Sequence, residues 1–233
     1  MTHIVVHIKK NQEYKIFIER AAEIINEGLL LGIRTECLYF ITVNPMNSDA
    51  INAIFNIRNQ DRSKGLILIA SEIDEIESII EFDELSLKIA KRIWPAPISI
   101  MLPLKKELLE NPNNNWNIIC GDNNKVEVLI SNDSLIIELL KKLKEMSGIG
   151  YVVGGPASFE NDENLPINGI KVVQNFAFAL NFIIEAGTTK YKNFPTKIEI
   201  KTPVNEKDVP LENIVQILYE GPISADEIFK RLK

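Results

Sequence analysis

The sequence is poor in cysteine and histidine. Its 233 residues contain two cysteines, Cys37 and Cys120, and two histidines, His3 and His7. The cysteines lie in dissimilar contexts, so no disulfide framework or thiolate metal cluster is indicated, and a reducing cytoplasm is expected. The histidines are four residues apart in a segment expected to be a strand, where that spacing separates them, and no third ligand is near in sequence. We therefore predict no metal site.

Long apolar runs and an excess of positive charge are also missing. The most apolar late segment, 176–184, contains Asn181 and is about half as long as the roughly 20 residues that a membrane span needs. The first ten residues lack the apolar core of a signal peptide. The formal net charge is −6, which argues against a surface built mainly to grip nucleic acid. The sequence thus predicts a cytoplasmic protein without a membrane segment.

The hydrophobic pattern indicates an α/β protein. Hydrophobic residues make up 45%, and the chain is long enough for one substantial core without requiring two domains. Helical and strand patterns alternate, which predicts a single domain with a twisted mixed β-sheet flanked by helices. Residues 1–18 are predicted to be an N-terminal extension or edge strand, and residues 19–233 the domain.

The element boundaries follow from periodicity, caps and breakers. The predicted helices are 13–27, 48–57, 83–93, 133–146 and 224–232. The predicted strands are 2–8, 29–33, 66–70, 98–102, 116–120, 126–130, 150–153, 182–184, 197–201 and 215–219. Ser48 and Ser224 are predicted N-caps, and segment 71–74 resembles a capping box.

Two loops carry the functional hypothesis. Segment 33–39 (Ile-Arg-Thr-Glu-Cys-Leu-Tyr) displays a hydroxyl and a carboxylate just past strand 29–33. Segment 58–65 (Arg-Asn-Gln-Asp-Arg-Ser-Lys-Gly) is a short cationic loop that leads into strand 66–70. Ligands usually bind at loops at the carboxyl ends of strands in an open α/β sheet. Cations there suit a phosphate-bearing ligand.

The same residues also have structural explanations. Thr35 would satisfy the backbone of a turn, as threonine often does after a strand. Arg58 and Lys64 would belong to an ordinary solvated loop. Tyr39 fits a core position and a ligand-binding wall equally. The glycine pair 154–155 fits a plain turn better than a phosphate cradle. From the residues alone, these alternatives stay open.

Seven segments, taken in order, resemble the motifs of a known family. They are 35–39 (Thr-Glu-Cys-Leu-Tyr), the pair Arg58 and Gln60, 64–70 (Lys-Gly-Leu-Ile-Leu-Ile-Ala), 94–99 (Trp-Pro-Ala-Pro-Ile-Ser), 155–158 (Gly-Pro-Ala-Ser), 195–198 (Pro-Thr-Lys-Ile) and 218–223 (Leu-Tyr-Glu-Gly-Pro-Ile). They resemble the YrdC family, the threonylcarbamoyl-AMP synthases of tRNA modification, from about residue 19 to the C terminus.

The resemblance implies a YrdC-like fold and a nucleotidyltransferase reaction. L-threonine, bicarbonate and ATP would give threonylcarbamoyl-AMP and pyrophosphate. By this resemblance, Thr35 and Tyr39 would bind threonine. The residues that would bind ATP and its phosphates are Arg58, Lys64, Ser99, Ser158 and Thr196. ATP would be a substrate, Mg²⁺ is a further candidate ion, and tRNA or tRNA-modification proteins are candidate partners.

Several family residues are replaced in this chain. Gln60, Leu129 and Tyr219 stand where the family has arginines, and Pro-Ala-Ser at 156–158 stands in place of Ser-Ala-Asn. Losing three cationic partners would remove on the order of 5–9 kcal/mol of stabilisation if nothing compensates. The replacements motivate a second hypothesis, a catalytically impaired YrdC-like module that binds a nucleotide, RNA or a protein partner.

Overall fold

The protein is described here from a computed structural model that covers residues 4–8, 14–201 and 211–233. Within those ranges the strands are β1 (Ile4–His7), β2 (Leu31–Arg34), β3 (Tyr39–Val43), β4 (Ile67–Ala70), β5 (Ile98–Pro103), β6 (Lys125–Ile130), β7 (Tyr151–Pro156), β8 (Phe182–Glu185), β9 (Thr196–Ile200) and β10 (Val215–Tyr219). The helices are α1 (Lys15–Asn26), α2 (Ser48–Arg58), α3 (Glu84–Ile93), α4 (Lys106–Leu109), α5 (Trp116–Cys120), α6 (Ser134–Ser147), α7 (Gly169–Phe176), α8 (Leu211–Ile214) and α9 (Ala225–Leu232).

These strands form one mixed sheet in the order β1-β8-β2-β3-β7-β4-β6-β5-β9-β10. Strand β1 lies at one edge and runs parallel to β8, while β10 lies at the other edge, antiparallel to β9. Strand β4 is central, parallel to β6 and antiparallel to β7. The single-domain α/β class with a mixed sheet and flanking helices is therefore confirmed.

Helices cover both faces of the sheet. Leu68 and Ile69 are neighbours on β4 and point to opposite faces, as successive strand residues do. Leu68 belongs to the core cluster that holds the inner sides of α2 and α3, whereas Ile69 packs with α1 and α6. Each fully buried side chain of this size contributes roughly 1.5–3 kcal/mol relative to exposure. The two clusters hold the strands that carry the site.

Helix starts follow local hydrogen-bonding chemistry. Ser224 is confirmed as an N-cap, since its Oγ accepts a hydrogen bond from the Glu227 N–H at 3.3 Å. The predicted Ser48 cap is off by one residue: Asn47 Oδ1 accepts from the Ala50 N–H at 2.8 Å. Asparagine and serine are comparable caps, so two adjacent candidates could not be ranked.

The capping box predicted at 71–74 is wrong. That segment leads into a short 3₁₀ helix, Ile73–Glu75, whose N-cap Glu72 makes no side-chain capping bond. A capping box occurs instead at the start of α3. There the Asp83 side chain accepts from the Ser86 N–H at 2.6 Å, and Ser86 Oγ accepts from the Asp83 N–H at 3.0 Å.

The segment predicted as strand 116–120 is helix α5. The Asn115 carbonyl accepts from the Ile119 N–H at 3.0 Å, and Asn114 Oδ1 accepts from the Trp116 N–H at 3.0 Å. Short apolar runs fit a buried strand and a buried helical turn equally well. Asn114 and Asn115, just before this apolar run, favour the helix because they accept hydrogen bonds from its N–H groups.

Strand β3 and helices α7 and α8 are among the elements that were not predicted from the sequence. Strand β3 is fully buried, with all five residues inaccessible to solvent, so it lacks the polar alternation that marks a half-exposed strand. Helix α7 is short. Its N-cap is Asn168, whose side chain accepts a hydrogen bond from the Lys171 N–H at 3.0 Å. Strand β3 pairs with β7 and so sets the position of the loop after β7.

Candidate functional site

A cavity of about 580 Å³ opens on the face of the sheet that also carries α1 and α6. Ile67 on β4 pairs with Glu127 on β6 and with Gly154 on β7, so the three residues lie side by side on its floor. The walls come from segments 58–66, 155–163 and 194–197 and from Tyr219. The cavity therefore draws on segments from residue 58 to residue 219.

Arg58 is a buried cation in the cavity wall. It ends α2 and is only 8% exposed. Its Nε donates to the Ser158 carbonyl at 3.3 Å, and its Nη1 donates to Gln60 Oε1. Within the described ranges, no carboxylate lies within 4 Å of the guanidinium. Burial lowers the pKa of Arg58 to about 10, and the negative charge of Glu160 opposes this shift.

The contacts of Arg58 are what an anion-binding group would show before its ligand arrives. A buried charge costs free energy unless an opposite charge or several hydrogen bonds compensate it. Arg58 has two neutral acceptors for five N–H donors. An anionic ligand in the cavity would supply the missing compensation.

Lys64 reaches the cavity from the 3₁₀ turn Arg62–Lys64, which Asp61 caps by accepting from the Ser63 N–H. Its ammonium forms an ion pair with Glu160 Oε1. Glu160 Oε2 also accepts from the Asp61 N–H at 2.6 Å. The hydrogen bond from Lys64, followed by the one from Asp61, lowers the pKa of Glu160 below its ordinary value.

A second ion pair lies on the floor. Lys197 Nζ on β9 is 2.6 Å from Glu127 Oε2 on β6, and Ser99 Oγ on β5 donates to Glu127 Oε1 at 2.8 Å. The cavity lining as a whole contains three cations and four carboxylates. Lys64 and Lys197 are thus neutralised by side chains of the chain itself, while Arg58 is not.

The structure places Thr35 and Tyr39 away from the lining of the cavity. Thr35 is fully buried, and its Oγ1 donates to the Leu38 carbonyl at 2.9 Å. Tyr39 is also fully buried; its hydroxyl donates to the Gly187 carbonyl at 2.7 Å and accepts from the Ala186 N–H at 2.9 Å. Burial raises the pKa of Tyr39 to about 12. Their role in threonine binding stays a prediction. For either hydroxyl to bind threonine, it would have to give up its present hydrogen bonds to the backbone.

The three hydroxyl residues assigned to ATP are divided. Ser158 lines the cavity together with Arg58 and Lys64. Ser99 is fully buried below the floor and bonds Glu127. Thr196 is fully buried, and its Oγ1 donates to the Ile223 carbonyl at 2.7 Å, tying β9 to the segment after β10. The structure thus brings three of the five predicted ATP-binding residues together at one cavity.

The replaced family arginines have three different surroundings. Gln60 lines the cavity, and its Nε2 donates to the Gly65 carbonyl at 2.6 Å. Leu129 points to the same face as Glu127, two residues earlier on β6, but it is fully buried. Tyr219 lines the cavity, 41% exposed, with its ring edge-to-face against Phe194 at 5.9 Å between centroids.

Sequence reasoning gave no role to several residues of the cavity, among them Glu127, Glu160 and Lys197. A polar residue on the alternating pattern of β6 and β9 signals an exposed face, and this signal was available for Glu127 and Lys197. Glu160 lies in a polar loop with no distinguishing pattern. Gly155 belongs to strand β7 rather than to the expected turn.

Within the described ranges, no group of three potential metal-ligating side chains occurs. His7 contacts Glu185 at 3.3 Å, and His3 lies outside the described residues. Cys37 and Cys120 are both free and buried, and burial raises both pKa values. None of the described helices is both long and apolar enough to cross a membrane.

Comparison with known families gives a match over most of the chain. The family model Sua5/YciO/YrdC, described as telomere recombination, matches residues 23–204. The threonylcarbamoyl-AMP synthase of Pyrococcus abyssi is 26% identical over 223 residues, which is 93% of this chain and 61% of that protein. The threonylcarbamoyl-AMP synthase of Coxiella burnetii is 25% identical over 163 residues, covering 70% of this chain and 80% of that protein. This chain thus spans less than two thirds of the Pyrococcus relative.

Solved structures share the fold. The crystal structure of P. abyssi Sua5 complexed with L-threonine superposes with a TM-score of 0.79 at 23% identity, covering 98% of this chain and 61% of that chain. The structure of E. coli YciO gives a TM-score of 0.76 at 15% identity, and the superposition covers 97% of this chain and 98% of that chain. At these identities the superpositions show a common architecture.

Proposed function

Since the chain belongs to the Sua5/YciO/YrdC family, whose model matches residues 23–204, we propose that its cavity binds ATP and L-threonine and forms threonylcarbamoyl-AMP for tRNA modification. Relatives that carry the name threonylcarbamoyl-AMP synthase support this proposal. The observation that carries it is the buried Arg58 guanidinium, which faces the cavity and has no carboxylate partner among residues 4–8, 14–201 and 211–233. We place the reaction in the cytoplasm.

The proposed reaction has two bond-forming steps. The threonine amine attacks bicarbonate, a water molecule leaves, and a carbamate results. A carbamate oxygen then attacks the α-phosphorus of ATP, the bond from that phosphorus to the bridging oxygen breaks, and pyrophosphate leaves with the electron pair. Negative charge grows on the leaving group, so positioned cations accelerate this step.

Two cations of the cavity lining, Arg58 and Lys64, would bind the phosphates of ATP in this reaction. Arg58 would bind phosphate oxygens through two N–H groups, as guanidinium groups do, and Lys64 would contribute a point charge from the 3₁₀ turn Arg62–Lys64 of the same segment. Mg²⁺ takes oxygen ligands and usually enters such sites on the phosphates of the nucleotide. An ion that entered with the nucleotide would add positive charge to the cavity, where Lys64 and Lys197 already form ion pairs with carboxylates of the chain.

The test is product formation by the purified chain with ATP, L-threonine, bicarbonate and Mg²⁺. We expect threonylcarbamoyl-AMP and pyrophosphate in equal amounts, dependent on threonine. Arg58→Ala should reduce the rate by about a hundredfold, as loss of one charge-stabilising group does. Arg62→Ala is the matched control, because Arg62 stacks on Phe55 at 5.2 Å on the same loop but does not line the cavity. Absence of product from the unaltered chain would refute the proposal.

A second candidate function is nucleotide binding without synthesis. The ion pairs of Lys64 and Lys197 and the complete burial of Leu129 favour it, because they leave Arg58 as the one lining cation without an ion pair in the described part of the chain. Such a module would serve the tRNA-modification machinery by binding RNA or a protein partner. Calorimetry separates the two candidates: ATP binding without turnover supports the module, whereas binding of both ATP and threonine with turnover supports the synthase.

A further inference from the structure

The loop after β7 places a carboxylate directly on the cationic loop of the cavity. Glu160 Oε1 pairs with the Lys64 ammonium, and Glu160 Oε2 accepts from the Asp61 N–H at 2.6 Å. The Glu160 N–H donates to the Arg58 carbonyl at 2.9 Å. Lys64 and the Asp61 N–H are therefore both occupied by one side chain that comes from another part of the sequence.

The combination of a flexible ammonium and a backbone N–H is a common anion-binding arrangement. Phosphate oxygens bind to such pairs through charge-assisted hydrogen bonds. The Lys64 side chain is 58% exposed, while the Glu160 side chain is 15% exposed. A ligand in the cavity could therefore reach Lys64 from the open side and displace the carboxylate.

From these contacts we infer that Glu160 is a built-in competitor that occupies an anion subsite formed by Lys64 and the Asp61 N–H. A phosphate group binds there only after the Glu160 carboxylate leaves. A tethered group competes at a high effective concentration, so it weakens every ligand that uses the subsite. The inference rests on the proposed function only for the identity of the natural ligand, a polyphosphate.

The floor pair shows by contrast why Glu160 is the residue that moves. Glu127 is fixed on strand β6 and is held by both Lys197 and Ser99. Glu160 lies in the loop between β7 and α7, next to Asn161, which has a left-handed φ of 65°. Displacing Glu160 requires a change in a loop, whereas displacing Glu127 would disturb a ladder of paired strands.

The experiment measures binding of inorganic pyrophosphate to the full chain by calorimetry at one fixed ionic strength. Glu160→Gln should bind about three- to fivefold more tightly than the unaltered chain, which corresponds to removing one solvent-accessible ion pair. Glu163→Gln is the matched control, because Glu163 also lines the cavity on the same loop. It should change the affinity by less than about twofold, since it removes the same charge at a distance from Lys64.

Two further variants test whether tighter binding comes from freeing the Lys64 subsite of the Glu160 carboxylate or only from the change in net charge. Glu160→Asp keeps the charge but shortens the side chain by one methylene, so it should also tighten pyrophosphate binding. In a Lys64→Gln background, Glu160→Gln should bring no gain. Circular dichroism and thermal melting verify that each variant is folded.

The inference is overturned if Glu160→Gln and Glu163→Gln bind pyrophosphate alike, if Glu160→Gln binds more weakly, or if no variant binds it. Failure of the proposed function gives a different result. In that case the chain forms no threonylcarbamoyl-AMP, yet Glu160→Gln still tightens pyrophosphate binding.

Discussion

Gly155 lies so close to Arg58 that a Cβ atom added to the glycine would be 1.9 Å from Arg58 Nη1 and 2.6 Å from Cζ. The guanidinium therefore occupies the space that any other residue at 155 would fill. Strand β7 thus contributes to the cavity because Gly155 has no side chain, which allows the Arg58 guanidinium to lie against the backbone of the strand.

Gly155→Ala should expel the Arg58 guanidinium from its position. We expect the affinity for ATP to fall by about tenfold or more, the value of one charge-assisted hydrogen bond. Calorimetry with ATP measures it. Gly148→Ala is the control: this residue ends α6 with a left-handed φ of 76°, so alanine costs stability there. Apart from the chain immediately around Gly148, no atom of the described residues lies within 4 Å of the added Cβ. Equal losses of affinity in both variants would contradict the steric argument.

Tyr219 presents an exposed ring to the cavity, supported by Phe194, and its hydroxyl donates to Asn193 Oδ1 at 2.8 Å. Tyr219→Leu should weaken ATP binding by about fivefold, because a planar base gains from stacking on an aromatic face. Pyrophosphate binding should stay unchanged. Tyr219→Phe, which keeps the ring, should bind ATP normally. Parallel loss of ATP and pyrophosphate affinity would show that the ring does not contact the base.

Leu129 stands where the resembling family has an arginine, and it is fully buried. Introducing a charge with Leu129→Arg should lower the free energy of unfolding by about 3–5 kcal/mol, because the guanidinium would be buried where the Glu127 carboxylate is already bonded to Lys197 and Ser99. Urea denaturation measures the effect. Leu129→Met, which conserves volume, should cost less than about 1.5 kcal/mol. A stable Leu129→Arg protein with tighter ATP binding would mean that the position opens to the cavity.

Glu36 is a buried carboxyl group with one unsatisfied oxygen. Its Oε2 accepts from Ser131 Oγ, while its Oε1 has no partner among the described residues. Burial raises the pKa of Glu36 above its ordinary value, and the hydrogen bond from Ser131 only partly opposes this. Between the ordinary and the raised pKa, the folded chain binds more protons than the unfolded chain, so stability falls as pH rises through that window.

Glu36→Gln removes this pH dependence because glutamine does not ionise. We expect the variant to be more stable than the unaltered chain near neutral pH, and the difference to disappear as the pH falls to the ordinary carboxyl pKa. Denaturation midpoints measured across that range provide the test. A difference that grows towards low pH would reverse the sign of the argument. Glu145→Gln, on the exposed end of α6, is the control for a surface carboxylate.

The sequence specified those features that depend on local chemistry. Strand 66–70 and helix 133–146 match β4 (Ile67–Ala70) and α6 (Ser134–Ser147) to within about one residue, because long apolar faces and strong caps mark them. The cationic loop with Arg58 and Lys64 was also located from sequence. Its apolar neighbour 116–120 was misassigned because five residues carry too little periodicity to separate helix from strand.

The electrostatic state of the site could not be read from the sequence. Lys64, in a 3₁₀ turn, is paired with Glu160 in the loop after β7, and Lys197 on β9 is paired with Glu127 on β6. Such pairs depend on strand order and register, which a one-dimensional pattern does not encode. The same limit applies to Thr35, whose surroundings alone decide between a backbone bond and a ligand contact.

The strand order has a consequence for synthesis on the ribosome. Lys197 is on β9 and Tyr219 at the end of β10, yet both face residues from β4, β6 and β7. A nascent chain that has emerged as far as the loop after β7 already carries Arg58, Lys64 and Glu160, but it lacks one wall of the cavity. The cavity is therefore completed only when the late-emerging strands β9 and β10 join the sheet, and a translation product that ended before β9 would lack this wall.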